Sequence, residues 1–126
     1  MKKVLVVDDN IIDRKLISQR ISNEFPQVSV KEATDGLHAL KMLEEHDFDL
    51  IITDLVMPKM EGIELIQHIN SLNSMVPIIA VSGHNPYYLY LAKKMGVRKV
   101  FTKPLHPQQF IREISLYLGL NERIVA

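Results

Sequence analysis

The chain has 126 residues, 47% of them hydrophobic, a size and composition suited to one compact domain with a proper core. Fifteen basic residues balance fifteen acidic ones, so the overall field favours neither direct nucleic-acid binding nor adhesion to an anionic membrane. The absence of cysteine excludes disulfides, thiolate zinc sites and cysteine nucleophiles, and fits a reducing compartment.

From the N-terminus, Met1, Lys2 and Lys3 lead into an apolar run at residues 4–7 that is too short for a signal sequence or a membrane span. A cytoplasmic protein is expected, and the run itself reads as a strand buried on both faces. Ile11/Ile12, Leu16/Ile17 and Ile21 then recur at helical spacing. Residues 28–33 alternate apolar with polar at their start, as an edge strand does. Leu37, Leu40 and Leu43 mark a second helix, residues 50–52 a second central strand, and Ile63, Ile66, Ile69 and Leu72 a third helix. Residues 77–81 give a further central strand. Pro86 opens a helix that Gly96 ends, residues 99–102 make a short edge strand, and Pro107 starts a last helix carrying Phe110, Ile111, Ile114 and Leu118. After about Gly119 only a short tail remains, read as a frayed end, so residues 1–126 are expected to form one domain with no attached output module.

Five strand–helix repeats with right-handed crossovers predict an α/β doubly wound sheet of five parallel strands. The order is 2-1-3-4-5, of flavodoxin-like type, with helices on both faces. Ligands of such sheets bind at the carboxyl ends of the strands. There the sequence places Asp8 and Asp9 after the first strand, Asp54 after the third, Ser82 after the fourth and Lys103 after the fifth. Three carboxylates gathered without compensation repel one another, and a hard dication such as Mg²⁺ relieves that repulsion while leaving room for phosphate oxygens. Asp54 is then a candidate nucleophile toward phosphorus. Lys103 would neutralise developing charge, and the Ser82 hydroxyl would donate to a phosphoryl oxygen.

Residues 7–10 (Val-Asp-Asp-Asn), residues 54–58 (Asp-Leu-Val-Met-Pro) with Gly62, residues 81–83 (Val-Ser-Gly) and Lys103-Pro104 together resemble bacterial response-regulator receiver domains, of the stand-alone CheY-like kind. The resemblance covers nearly the whole chain. It implies that Asp54 is phosphorylated by a histidine kinase or phosphotransfer protein, or by a small phosphodonor. It also implies that Asp8, Asp9, Asp54 and the main-chain carbonyl of Val56 bind Mg²⁺, that Lys103 contacts phosphate, and that a cis peptide precedes Pro104 and aims Lys103 into the cleft. A downstream protein target would meet the last two helices and last strand once phosphorylation has shifted the conformational population.

The sequence departs from the family at Val100, where the switch aromatic three residues before the lysine belongs; Phe101 stands next to it and faces the opposite side of an extended strand. Phe101 is therefore expected in the core. Val56 and His84 occupy the variable positions flanking the phosphate and are expected to govern the lifetime of the aspartyl phosphate.

Plainer readings exist for each residue alone. Asp9 or Asn10 could cap a helix, Asp54 could form a turn, and Lys103 could be a solvated loop residue. The five histidines, at 38, 46, 68, 84 and 106, share no metal-binding spacing. Tyr87, Tyr88 and Tyr90 cannot all share one helix face, so some must meet solvent, as packing remainder or as a partner surface. Two other functions use similar chemistry: a haloacid-dehalogenase-type phosphatase, whose Asp-x-Asp pattern is replaced here by adjacent Asp8 and Asp9, and a receiver that binds partners without phosphorylation.

Overall fold

In the computed structural model, which describes residues 1–57, 60–72, 74–83 and 85–120, the apolar runs become β1 (Lys3–Val7), β2 (Ser29–Ala33), β3 (Leu50–Asp54), β4 (Ile78–Ser82) and β5 (Lys99–Thr102). All neighbours pair in parallel, in the order β2-β1-β3-β4-β5. The two strands expected at the edges are the two edges. Between strands lie α1 (Ile11–Glu24), α2 (Gly36–Glu45), α3 (Gly62–Ser71), α4 (Pro86–Lys94) and, last, α5 (Pro107–Leu118). The expected doubly wound fold is thus present. Among the described residues no helix is long and apolar enough to cross a membrane.

Residues 4–7, 50–52 and 78–81 of the central strands are apolar because each side chain meets a helix layer. Val4, Val6, Leu50, Ile52, Ile79 and Val81 face the α1–α5 side, where Ile17, Ile21, Phe25, Phe110, Ile114 and Leu118 complete one core. Leu5, Val7, Ile51, Ile78 and Ala80 face the other side, with Leu65, Ile66 and Ile69 of α3 and Ala92 of α4. Residues 100 and 101 divide between these layers as the pleat requires. Val100 packs on the α4 side, while Phe101 joins the α1–α5 core and meets Phe110 edge to face, with ring centroids 5.4 Å apart.

Side chains cap four of the helices: Asn10, Asp35, Asn85 and His106 accept from backbone N–H groups in the first turns of α1, α2, α4 and α5. Gly96 (φ 90°) follows α4, and Gly119 (φ 71°) ends α5 in the left-handed region that favours glycine. Gly62 matters for another reason. Its N–H donates to the Leu55 carbonyl at 3.0 Å, and any Cβ there would collide with the Asp54 carbonyl oxygen, so only glycine lets α3 start against the end of β3.

Apolar periodicity found only part of the inner face of α1, at Ile17 and Ile21. Its buried residues are Arg14, Ile17, Ser18 and Ile21, whereas Ile11, Ile12 and Leu16 are each at least 60% exposed. Arg14 takes the inner position because it is paired: its Nε donates to Glu32 Oε1 of β2 at 2.8 Å and its Nη1 to the Asp8 carbonyl at 3.0 Å. Leu37 and Leu72, counted on the periodic faces of α2 and the α3 segment, are likewise exposed. Tyr87 and Tyr90 of α4 meet solvent while Tyr88 packs partly against the core. His84, Pro58 and the tail at 121–126 lie outside the described residues.

Candidate functional site

Strand register brings the polar residues into one row. Val7, just before Asp8, pairs with Thr53, just before Asp54; Asp54 pairs with Val81, just before Ser82; and Ser82 pairs with Thr102, just before Lys103. The Lys103 N–H donates to the Ser82 carbonyl at 2.9 Å, extending the β4–β5 ladder into the site. The Lys103–Pro104 peptide is cis. The five residues expected to converge do so.

Asp8, Asp9 and Asp54 each offer a carboxylate oxygen within 4.8 Å of the other two. Asp8 is buried, Asp54 partly so, and Asp9 open to solvent. The Asp8 carboxylate accepts from the Asn10 N–H at 2.9 Å through Oδ1 and faces the Lys103 ammonium at 3.1 Å through Oδ2. Asp54 divides its oxygens in the same manner: Oδ1 accepts from the Leu55 N–H at 2.7 Å and Oδ2 lies 3.4 Å from Lys103 Nζ. Asp54 is therefore both a turn-fixing residue and a charged group in the cluster. Asn10, rather than Asp9, caps α1, which leaves Asp9 free of that duty.

The charges perturb one another. Burial raises the pKa of Asp8 above the ordinary aspartate value, and the neighbouring Asp54 charge adds to this, against the opposing pull of the Asn10 N–H and the Lys103 ammonium. Burial of Lys103 works against its charge, yet its hydrogen bond to Asp13 and the charges of Asp54 and Asp8 outweigh that and hold its pKa above the ordinary lysine value. Asp13, in the first turn of α1, is the partner that sequence reasoning missed; its Oδ2 lies 2.9 Å from Lys103 Nζ. A carboxylate three residues after a helix cap at a strand's carboxyl end was the available signal.

The cluster opens into a cleft of about 1140 Å³ that reaches between α1 and α5, with Asp9, Asp13, Asp54, Val56, Ser82 and Lys103 at its acidic end. Ser82 is 2% exposed as a residue but borders this space, and Val56, 46% exposed, presents an apolar side chain beside Asp54. A donor set of three carboxylates gathered this closely suits a hard divalent cation.

Comparison with known proteins agrees with this arrangement. Residues 4–115 match the response regulator receiver domain family. The chain is 32% identical over 124 residues to the chemotaxis protein CheY1 of Helicobacter pylori, covering 95% of this chain and 99% of that one. It is 31% identical over 114 residues to the Regulator of RpoS of Escherichia coli, covering 90% of this chain and 33% of that protein. In the first curated relatives it matches, the chain spans a third of their length or less. Among solved structures, the N-terminal domain of an uncharacterized Wolinella succinogenes protein superposes with a TM-score of 0.87 at 30% identity, over 95% of this chain and 96% of that one. With the sheet order, the acidic cluster and these likenesses in agreement, the chain belongs to the response regulator receiver domains, the signalling switches of two-component systems.

Proposed function

We propose that this chain is a phosphoacceptor switch in which Asp54 takes a phosphoryl group from a histidine kinase or phosphotransfer protein in a Mg²⁺-dependent reaction. The observation that carries the reading is the meeting of the Asp8, Asp9 and Asp54 carboxylates within 4.8 Å, with the Lys103 ammonium 3.4 Å from Asp54 Oδ2. Asp8, Asp9, Asp54 and the Val56 main-chain carbonyl would hold Mg²⁺, which when bound neutralises charge on the phosphoryl oxygens. The Asp54 carboxylate attacks phosphorus, the P–N bond of the donor phosphohistidine breaks, and the released imidazole nitrogen takes a proton. Lys103 supplies positive charge to an equatorial oxygen, and the Ser82 hydroxyl donates to another once it turns toward the cleft. The chemistry is the domain's own phosphorylation and dephosphorylation, not turnover of an external substrate.

Residues 1–126 act as one receiver domain in the cytoplasm. Its downstream partner is a protein that meets α4, β5 and α5, a reading supported by the exposed rings of Tyr87 and Tyr90. Incubation with acetyl phosphate and Mg²⁺ should incorporate close to one acid-labile phosphate per chain, and Asp54→Asn should abolish it. Turnover of external phosphomonoesters would instead identify a phosphatase, and no incorporation at all a receiver that works unphosphorylated.

A further inference from the structure

Lys103 arrives from the β5–α5 connection, and Asp13 from the first turn of α1, on the other wall of the cleft. An ammonium has three N–H donors. Those of Lys103 have three carboxylate partners: Asp13 at 2.9 Å, Asp8 at 3.1 Å and Asp54 at 3.4 Å. Asp13 is the nearest of the three, and it stands apart from the group of carboxylates that could share a metal ion. A dication at Asp8, Asp9 and Asp54 would offset the negative charge of two of the lysine's partners and leave the third untouched. Asp13 would then be the anion still holding Lys103 when its charge is needed at the phosphoryl group.

We propose that Asp13 is a positioning residue that competes with the phosphoryl group on Asp54 for the Lys103 ammonium. This rests on the phosphoacceptor reading and deepens it. Engaging the phosphoryl oxygen stretches or breaks the Asp13–Lys103 ion pair, so Asp13 sets how readily the phosphorylated arrangement forms and ties that event to the link between α1 and the end of β5. An aspartate in the first turn of a helix also favours the helix dipole. That simpler role would alter thermal stability and leave affinity for a phosphoryl mimic unchanged.

The test is a titration of the full chain with beryllofluoride in excess Mg²⁺, followed by ¹⁹F NMR and calorimetry. Asp13→Asn should bind about two- to fivefold more tightly than wild type, the scale of a partly exposed ion pair. In a Lys103→Met background, Asp13→Asn should give no further gain. In the unliganded protein, the ¹⁵N resonance of the Lys103 ammonium should shift on Asp13→Asn, a readout that does not depend on the weakened binding of the Lys103→Met forms. Unchanged or weaker binding by Asp13→Asn, or an equal gain without Lys103, would overturn the competition. Failure of wild type to bind beryllofluoride in an Asp54-dependent manner would instead sink the phosphoacceptor reading, and the competition with it.

Discussion

Two charged clusters meet at Asp8, and they are built in opposite proportions. On the β2 side one carboxylate, Glu32, is shared by two cations, Arg14 at 2.8 Å and Lys15 at 3.2 Å. On the cleft side one cation, Lys103, is shared by three carboxylates. Arg14 holds the Asp8 carbonyl while Lys103 holds its carboxylate, so a single residue joins the two. Burial pushes the Glu32 pKa up, but the hydrogen bonds from Arg14 and Lys15 outweigh it and bring the carboxyl below its ordinary value; Asp8 is displaced the other way. In the first cluster the carboxylate is fully compensated, which fixes α1 against β2. The second is left with surplus negative charge, the condition that favours a dication and then a group Lys103 can follow.

The largest expected effect comes from removing the cation that these three carboxylates share. Lys103→Met should slow phosphorylation by acetyl phosphate about 100-fold, the scale of losing one transition-state charge partner. The same change should tighten Mg²⁺ binding in calorimetry, because a dication no longer competes with the ammonium for Asp8 and Asp54. Loss of both rate and Mg²⁺ affinity would mean that Lys103 organises the carboxylates rather than competing for them.

Asp8→Asn tests the surplus itself. The folded-state pKa of Asp8 lies above its ordinary 3.8, so its contribution to stability is present below that pH and is lost as pH rises through the raised value. At neutral pH without metal, the ionised form therefore works against folding. Asp8→Asn should raise Tm by about 3 °C in EDTA, and this advantage should shrink on acidification. Added Mg²⁺ should reverse the order, since wild type gains binding free energy that the variant forgoes. An Asp8→Asn protein less stable than wild type in EDTA at neutral pH would show that the Asn10 N–H and Lys103 already compensate the charge.

The two clusters also mark how far the sequence can be read. Strands such as residues 4–7 and 50–52 were legible because they are buried on both faces and hence apolar without interruption. Asp8, Asp9, Asp54, Ser82 and Lys103 were legible because parallel topology gathers strand ends, whatever the distance along the chain. The phase of α1 was not. Hydropathy groups the exposed Ile11, Ile12 and Leu16 with the buried Ile17 and Ile21, and it cannot register that Arg14 is buried by virtue of an ion pair with a residue 18 positions away. Asp13 was missed for a related reason. Its partner lies 90 positions along the chain and is reached only by a long lysine side chain whose direction no local pattern specifies.

The smallest effect should come from Lys15 in the first cluster, and set beside Glu32 it separates charge count from buried hydrogen bonding. The Glu32 pKa lies below its ordinary 4.5, so the stability it contributes is present above that value and is lost as pH falls through the folded-state pKa. Glu32→Gln should cost about 1.5 kcal/mol in urea unfolding at neutral pH, the scale of a hydrogen bond to a charged group, and the deficit should close as the medium is taken below pH 4.5. Lys15→Ala should cost less than about 0.5 kcal/mol, because the Lys15 side chain is 52% exposed where that of Arg14 is 10% exposed. If the two substitutions cost the same, the contribution of Glu32 would run through Lys15 rather than Arg14. The expected inequality instead assigns the stabilisation to the fixed, nearly buried guanidinium, the group that also grips the Asp8 carbonyl and so holds one edge of the acidic site in place.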